Sequence, residues 1–368
     1  MTAPVYVFEA WSANGYRLAD ISKLCRNRSY TRQRNEAETL TFTLDVNALE
    51  ELCRTRLSGV HPRQLINPYT TDVKIKRNGE YLFGTQVVDV NIELGASNYD
   101  ATVTCTGYLN LLKDRYVTAI YSDVERTTIA SNIIVLTQAQ ARGSLGITIG
   151  AGQYVTGKLV DRDYPLDNVK TRLQQLAALS DAPYDFVIDA DKVWRTYAEA
   201  GSVRDDMMLV YGGQRSNVQA LGIDRSALRV YNKIYGQGMG LGQVTLSSIQ
   251  EDVPSQLNFF IREHIANFNS VKEQATLDQN TRTYLDLHSN LLGLPNLTIT
   301  SNTIPDGTFV TVGDRFPLAV NGHPFLDDVN GLYRVEKMDV SLDDNDFETI
   351  AITFDDYGVD QEQVGEPA

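Results

Sequence analysis

A strand pattern that occurs twice, far apart in the sequence, constrains this chain more than any other feature. The first copy runs through Val73–Gly84 and continues as an alternating segment from Val87 to Gly107. The second runs through Phe316–Leu326 and continues from Tyr333 to Phe354. Two similar antiparallel β-modules in one chain suggest a subunit that occupies two equivalent positions in an assembly. The alternative is that the two hairpins are unrelated.

Within each copy, apolar and polar residues alternate with the period of a half-buried strand. The predicted apolar faces comprise Val88, Val90, Ile92, Leu94, Val103 and Cys105 in copy one, and Met338, Val340, Leu342, Ile350, Ile352 and Phe354 in copy two. The predicted polar faces comprise Asp89, Asn91, Glu93, Thr102 and Thr104, and Asp339, Ser341, Thr349 and Thr353. A one-residue slip would turn the polar groups inward, so the pattern specifies the register. Each copy also contains an Asn-Gly dipeptide, Asn78-Gly79 and Asn321-Gly322, which favours a type I′ turn.

Composition favours a water-soluble protein made in a reducing compartment. Hydrophobic residues make up 42% of the 368 residues, and no apolar run approaches the ~18 residues that span a bilayer. The N-terminal sequence lacks the layout of a secretory signal. The three cysteines, Cys25, Cys53 and Cys105, have no CxxC spacing and leave an odd one, so we do not expect a disulfide framework.

Charge is distributed unevenly along the chain, whose net charge is −14. The segment 320–368 contains thirteen acidic and two basic residues, whereas residues 1–60 contain eight basic and seven acidic ones. An acidic total argues against tight nucleic-acid binding, which needs cations to replace phosphate counterions. The basic residues near the N-terminus include a cluster of four: Arg26, Arg28, Arg32 and Arg34. This cluster is typical of a solvated loop, but the opposite charges at the two ends also suggest contact between subunits.

A pass along the chain predicts a β-rich α+β protein with four regions and a tail. Residues 1–108 form a first β-module, completed by part of 201–270, which also connects the domains. Residues 109–200 form an inserted mixed α/β domain, with one helix after the capping-box spacing Ser122–Glu125 and another over about 166–179. Residues 271–357 comprise a linker helix and the second β-module. Residues 358–368 form an acidic tail that we expect to be frayed.

Motifs that carry chemistry are nearly absent. The alternating glycines of Gly236–Gly242 do not match the dinucleotide fingerprint, which opens a helix after a parallel strand, so a flexible loop is the favoured interpretation. The four histidines lack metal-ligand spacing, and the acidic stretch Asp343–Asp346 lacks the frame of a calcium loop. We therefore predict no cofactor, no metal and no catalytic residue, although an acidic protein always offers candidate carboxylate pairs.

The order of elements resembles that of the tail-tip or baseplate hub proteins of tailed bacteriophages, a group shared with related injection machines; the siphophage minor tail proteins are the nearest type. Three segments carry the resemblance: Ile75–Gly84 entering the first hairpin, Phe186–Tyr197 in the inserted domain, and Val312–Val335 entering the second module. The resemblance implies two related tube-like antiparallel β-barrels with inserted mixed domains. It also implies a homotrimer in which six barrels imitate a six-fold ring and adapt the tail tube to three-fold tip proteins.

The resemblance further implies which residues meet DNA and which meet neighbouring subunits. A negative channel lets DNA slide through without sticking, and the expected lining residues are Asp89, Asn91, Glu93, Asp339 and Ser341. The expected subunit contacts place the four arginines against acidic residues of the C-terminal end: Asp327, Asp328, Asp343, Asp344 and Asp346.

The implied partners are a second and third copy of the chain, distal tail or tail-tube proteins, and tip fibre or spike proteins, with no membrane insertion by this chain. The implied location is the virion tail tip, after synthesis in the host cytoplasm. Because the sequence stops soon after Phe354, we expect receptor binding and cell-wall cleavage to belong to other proteins. Two other functions remain open: a β-barrel module that binds carbohydrate or the host surface, and a tail-associated hydrolase.

Overall fold

The computed structural model describes residues 3–95, 99–179, 181–225, 227–239, 245–268, 271, 273–289, 293–324, 326 and 329–355. The chain divides into two compact units. The larger unit comprises Met1–Leu221 and Asn296–Ala368, and the smaller unit comprises Gly222–Pro295. The smaller unit thus begins and ends inside two of the regions expected from the sequence, 201–270 and 271–357.

Strands dominate the described residues. The strands are β1 (Tyr6–Ser12), β2 (Arg17–Asp20), β3 (Cys25–Gln33), β4 (Thr39–Asp45), β5 (Thr71–Arg77), β6 (Glu80–Leu94), β7 (Tyr99–Gly107), β8 (Tyr116–Glu125), β9 (Thr148–Ile149), β10 (Leu159–Asn168), β11 (Asp185–Ile188), β12 (Val193–Tyr197), β13 (Leu209–Tyr211), β14 (Ala220–Arg225), β15 (Lys233–Gln237), β16 (Ser247–Glu251), β17 (Glu263–Asn267), β18 (Gly293–Thr300), β19 (Arg315–Val320), β20 (Gly331–Leu342) and β21 (Glu348–Phe354). The helices are α1 (Val46–Arg56), α2 (Pro62–Leu65), α3 (Arg126–Gln138), α4 (Val169–Ala177), α5 (Val253–Phe259) and α6 (Gln274–His288). The β-rich α+β class predicted from the sequence is confirmed.

Both predicted hairpins belong to one thirteen-stranded sheet. Eleven of its strands follow the order β14-β18-β21-β20-β3-β4-β7-β6-β5-β1-β2, and β13 and β19 join it at β20. The two modules meet where β3 pairs antiparallel with β20, from Arg28 opposite Leu342 to Gln33 opposite Lys337. In the described part of the chain no closed barrel forms, so the two separate tube-like barrels that we expected are not confirmed.

The first hairpin follows the predicted pattern up to a bulge. Asn78 and Gly79 both have positive φ, 53° and 91°, as the predicted type I′ turn requires. Strands β6 and β7 pair in register until a bulge between Val87 and Asp89. The bulge places Val87 in the core, and beyond it Ile92 is 49% exposed. The prediction that Ile92 is a core residue is therefore wrong, and the side chain of Leu94 lies outside the described set.

The second hairpin buries its predicted apolar face completely. Met338, Val340, Ile350, Ile352 and Phe354 are all buried, and the alternate positions face away from them. The Asn321-Gly322 dipeptide does not form the type I′ turn it favours. Asn321 does not have a positive φ, and β19 rejoins β20 only at Gly331, opposite Leu318.

The mixed region 109–200 packs on its own core. Helix α3 begins after Glu125, whose carboxylate accepts a 2.8 Å hydrogen bond from the Thr128 amide. It starts later than the Ser122 spacing predicts because residues 116–125 extend as β8. Side chains of α3 and α4 pack with Tyr108 and Trp194 into one buried cluster. The segment Phe186–Tyr197 of the resemblance lies in an antiparallel hairpin of β11 and β12.

The smaller unit is a three-stranded sheet with one helix on one face. Its strand order is β16-β15-β17, and α6 packs against β15 and β16. Gly236 permits this contact, because a Cβ there would lie 1.9 Å from the Thr281 hydroxyl. Gly236 is thus a packing position, while Gly240–Gly242 and Leu292 lie outside the described residues. No helix among the described residues combines the length and apolarity needed to cross a bilayer.

Candidate functional site

The large sheet presents one continuous polar surface, which we call the hydroxyl-rich face. Its first row of paired residues crosses seven strands, from β18 to β6: Thr300, Thr349, Ser341, Ser29, Thr41, Thr104 and Asp89. Its second row crosses the same strands: Thr298, Ala351, Asp339, Thr31, Thr39, Thr106 and Gln86, of which Ala351 is apolar and Gln86 is buried. Since side chains alternate along a strand, the neighbours of these residues form the core on the opposite side.

Carboxylates give the hydroxyl-rich face a negative charge. Asp89 and Glu93 are exposed on β6, and neither forms an ion pair with another described residue. On β20, the Asp339 carboxylate accepts a 2.6 Å hydrogen bond from the Thr31 hydroxyl and lies 2.9 Å from the Lys337 ammonium.

A third group of charges completes this face. The Arg26 guanidinium on β3 lies 3.5 Å from the Asp45 carboxylate and 3.2 Å from the Asp100 carboxylate. The face thus contains five carboxylates and two cations, and most of its other polar groups are short hydroxyl side chains, with amides such as Asn91 among them.

All five residues predicted to line a channel lie on this one face. Asp89, Asn91 and Glu93 come from the first hairpin, and Asp339 and Ser341 come from the second. Four of the five are exposed, and Asp339 is half-buried. The structure therefore brings together residues more than 200 positions apart, while their lining of a channel stays a prediction.

Sequence reasoning missed the strand that makes the face continuous. Strand β3 occupies the arginine cluster, where the inward positions are Arg28, Tyr30 and Arg32 rather than aliphatic residues. The arginines are accommodated because their guanidinium carbons lie 5.8 Å and 5.9 Å from the ring centroids of Phe8 and Phe83. The sequence signal that could have indicated this strand is the polar residue at every second position, Ser29, Thr31 and Gln33. A charged loop can have the same pattern, so the signal alone does not decide between them.

The arginine cluster meets the acidic C-terminal end, but within one chain. The buried Arg28 guanidinium donates to the Asp346 carboxylate and to the Asp343 carbonyl oxygen. Arg32 donates to the Thr311 hydroxyl at 3.0 Å, and Arg26 remains exposed.

Arg34 completes the cluster and pairs with two carboxylates of the second module. Its guanidinium lies 2.7 Å from the Asp355 carboxylate and 2.9 Å from that of Glu336. Burial would lower the pKa of Arg34, but these carboxylates and Asp185 outweigh burial and raise the pKa. Asp344 is exposed, and Asp327 and Asp328 lie outside the described residues. A role of these residues at a subunit boundary stays a prediction, whereas their joining of the two modules is observed.

A buried network also locks the first module onto the second beneath the face. Glu348 of β21 accepts hydrogen bonds from Arg77 at 2.7 Å and 3.0 Å and from the Tyr6 hydroxyl at 2.5 Å. The Tyr6 and Tyr30 hydroxyls are 2.9 Å apart. Burial raises the pKa of Tyr6, and it raises the pKa of Tyr30 to about 12, so both phenols stay protonated at neutral pH. The modules are thus fixed by strand pairing and by charge.

Potential catalytic groups do not converge on this face. Among the described residues, no group of three or more His, Cys, Asp or Glu side chains is arranged to hold a metal ion. All three cysteines are buried, and burial raises the pKa of the Cys25 and Cys105 thiols. In the smaller unit His264 stacks on Tyr231 with ring centroids 4.5 Å apart, as a packed side chain does.

Comparison with known proteins identifies the fold. No protein-family model matches the sequence, and no curated protein sequence matches it. Among solved structures, the 43 kDa tail protein of prophage MuSo2 from Shewanella oneidensis matches with a TM-score of 0.66 at 13% identity, over 95% of this chain and 97% of that chain. A tail protein from Neisseria meningitidis MC58 matches with a TM-score of 0.64 at 13% identity and the same coverage.

A prophage tail protein from Listeria monocytogenes EGD-e matches with a TM-score of 0.59 at 11% identity, over 96% of this chain and 95% of that chain. Each of the three matches extends over nearly the whole of both chains compared. The similarity therefore covers both modules rather than one alone. The chain therefore has the fold of phage tail proteins.

Proposed function

We propose that this chain is the structural hub of a phage tail tip. In this proposal three copies form a ring that adapts the six-fold tail tube to three-fold tip proteins, and the hydroxyl-rich face lines the channel through which DNA passes. The observation that carries the proposal is the pairing of β3 with β20, which joins both modules of one chain into one polar face. The fold shared with three phage tail proteins supports a role in the tail.

The repeated module explains how a ring of three subunits would match the six-fold symmetry of the tail tube. Each chain contributes two hairpins to the same sheet, so three chains contribute six hairpins around a ring. In a three-fold ring the first module of one subunit meets the second module of the next, which is a heterologous contact that closes after three steps. The sheet of one chain is open, and we propose that the tube-like barrel predicted from the sequence closes only when three copies assemble.

The chemistry of the face suits a channel for DNA. Fixed carboxylates such as Asp89 and Glu93 repel phosphates, and threonine and serine hydroxyls keep a hydrated wall. The two cations of the face, Arg26 and Lys337, both lie beside carboxylates, which reduces their attraction for the DNA backbone. DNA would pass without specific binding. Neighbouring partners would be tail-tube proteins on one side and tip fibre or spike proteins on the other, in the virion tail tip.

A charge reversal on the face tests the channel assignment. The variant carries Asp89→Lys, Glu93→Lys and Asp339→Lys, and its affinity for a linear DNA duplex is measured by electrophoretic mobility shift. We expect no retention by the wild-type protein at about 50 mM salt, and retention by the variant that falls steeply as salt rises.

The matched control reverses the same number of exposed carboxylates elsewhere. It carries Glu50→Lys, Asp205→Lys and Asp306→Lys, which lie on α1 and in two turns. Equal retention of DNA by both variants would contradict a special role of the hydroxyl-rich face, because net charge alone would then explain the binding.

The proposal includes a structural rather than catalytic role for the chain. Purified protein is expected to release no soluble products from peptidoglycan and no phosphate from nucleoside triphosphates. Turnover that co-purifies with the protein through successive columns would overturn this part of the proposal.

A further inference from the structure

A cleft of about 860 Å³ lies in the larger unit, between the large sheet and the mixed region 109–200. Its floor is the side of β1, β5 and β6 that faces away from the core, where Trp11, Asp72 and Gln86 are paired neighbours. One wall is the turn 190–192 between β11 and β12. We call this feature the aromatic cleft, and its volume lies in the range of sites that bind small ligands.

Two aromatic rings of the cleft are held in place by one buried carboxylate. Glu9, which is 3% exposed, accepts hydrogen bonds from the Trp11 indole N–H at 3.1 Å and from the Tyr81 hydroxyl at 2.9 Å. The Lys74 ammonium lies 4.4 Å from the Trp11 ring centroid and 5.3 Å from the Tyr81 ring centroid. Because the orientation of both rings is fixed before binding, a ligand that packs on them orders little that was mobile.

The cations of the cleft are already paired, which argues against an anionic ligand. The Lys74 ammonium lies 2.8 Å from the Asp191 carboxylate, and the Lys192 ammonium lies 2.7 Å from the Asp72 carboxylate. Asp114 also lines the cleft and is exposed, so the lining carries one more carboxylate than ammonium groups. A phosphate or nucleotide site needs cations in excess, so the cleft favours a neutral polar ligand.

The pair Lys74–Asp191 presents a donor and an acceptor side by side at the wall of the cleft. The Asp191 side chain is 69% exposed, whereas that of Lys74 is 10% exposed and fixed by its neighbours. Two adjacent hydroxyls of a sugar match such a pair, because one hydroxyl accepts from the ammonium and the other donates to the carboxylate. The side-chain amides of Asn14 and Asn110, which also line the cleft, supply further donors and acceptors.

We propose that the aromatic cleft binds a neutral saccharide, with Trp11 and Tyr81 against the face of a sugar ring and with Lys74 and Asp191 bound to its hydroxyls. The C–H groups on the face of a sugar ring are apolar and pack on flat aromatic side chains, while the hydroxyls at its edge need polar partners. A wholly apolar ligand would leave those polar partners desolvated and unpaired. The inference goes beyond the proposed function, since it requires neither a ring nor a channel.

The test measures saccharide binding by the purified full chain through tryptophan fluorescence. Trp194 is fully buried in the mixed region, so a change in emission on adding a sugar reports on Trp11. The neutral probes are maltotetraose, cellotetraose and chitotetraose, and tetragalacturonic acid is the anionic comparison. We expect at least one neutral probe to bind with a Kd below about 1 mM and the anionic probe to bind at least about ten times more weakly.

Two variants test the two kinds of contact, with isothermal titration calorimetry as the measurement. Trp11→Ala removes the aromatic ring, and Asp191→Asn removes the charge of the exposed carboxylate. We expect each to weaken binding of the neutral probe at least about tenfold. The matched controls are Tyr99→Ala and Asp205→Asn, which change exposed residues outside the cleft and should bind like the wild-type protein. Thermal denaturation checks that all four variants are folded at the temperature of the titration.

Three results would overturn the inference. The first is failure of all three neutral probes to bind at about 10 mM, a concentration at which even a weak saccharide site is occupied. The second is an equal affinity of the two cleft variants and their controls, because the sugar would then lie elsewhere. The third is equal binding of the anionic probe, because the ligand would then not be selected for neutrality. Each of them would leave the proposed function intact.

Discussion

The hairpins β6–β7 and β20–β21 follow one sequence pattern, but only the second buries its whole apolar face. In β20 and β21, Met338 and Ile352 are almost inaccessible to solvent. In β6 burial ends at the bulge, after which Ile92 is half exposed. The pattern of a strand therefore determines its pairing and its two faces, while burial depends on what lies against those faces.

The lengths of the neighbouring strands explain the difference. Strand β6 has fifteen residues, about 50 Å, but β5 pairs with it only as far as Gln86. The remaining residues, from Asp89 onward, pair with β7 alone and form an edge of the sheet. By contrast, β20 lies between β21 and β3 along the whole segment from Lys337 to Leu342.

The largest expected effect is on the free energy of unfolding, when the same substitution is made in the core of the second hairpin and at the matching position of the first. Ile352→Asp places a carboxylate in a fully apolar site and should reduce the free energy of unfolding by at least about 5 kcal/mol, which is enough to unfold a typical domain. Ile92→Asp should cost less than about 1 kcal/mol, because Ile92 is already half exposed. Chemical denaturation followed by circular dichroism measures both. Similar destabilisation by the two variants would show that the hairpins are buried alike.

A smaller effect on the free energy of unfolding distinguishes the two Asn-Gly dipeptides. Asn78→Ala should cost about 1–2 kcal/mol, because alanine pays the strain of a φ near +53° and the Val5 amide loses its 2.9 Å bond to the Asn78 side chain. Asn321→Ala should change the free energy of unfolding by less than about 0.5 kcal/mol, since Asn321 is exposed and its φ is not left-handed. Equal losses in thermal denaturation would contradict the assignment of the type I′ turn to the first copy alone.

The smallest expected effect is on the pH dependence of stability, and it contrasts the buried Glu9 of the first module with the half-buried Glu336 of the second. Burial tends to raise the pKa of Glu9 on β1, but hydrogen bonds from Tyr81 and Trp11 and the charge of Arg17 outweigh it and lower the pKa. Burial raises the pKa of Glu336 on β20, against the opposing charge of Arg34. Glu9 therefore contributes stability at neutral pH that is lost in acid, whereas Glu336 favours the folded state more as the pH falls.

The variants Glu9→Gln and Glu336→Gln measure these contributions in denaturation experiments between pH 7 and pH 3. Glu9→Gln should flatten the loss of stability in acid, and Glu336→Gln should steepen it. Changes of the same sign in both variants would show that the two environments do not differ as described.

The sequence predicted much of the polar face because its signal is local. Thr39, Thr41 and Thr43 alternate with Leu40, Phe42 and Leu44, and this alternation needs no tertiary information to indicate one wet and one dry side. For the same reason the second hairpin and the helices α3 and α4 were predicted at nearly their observed positions.

What the sequence could not predict depends on partners distant along the chain. Strand β3 resembles a charged loop, because its inward positions include Arg28 and Arg32, and their burial is possible only where Asp346, Asp343 and Thr311 come to meet them. The bulge at Val88 could not be located from the alternation, because Val87 and Val88 are both apolar and either could take the core position. Burial of the first hairpin likewise depends on how far β5 extends.

The most direct test of this account is a cryo-electron microscopy reconstruction of the purified chain at a resolution that separates strands. The account predicts a three-fold ring whose central hole is lined by the hydroxyl-rich face, with Asp89 and Asp339 on its wall and six hairpins around it. A ring in which this face points outward, or lies buried between subunits, would contradict the account.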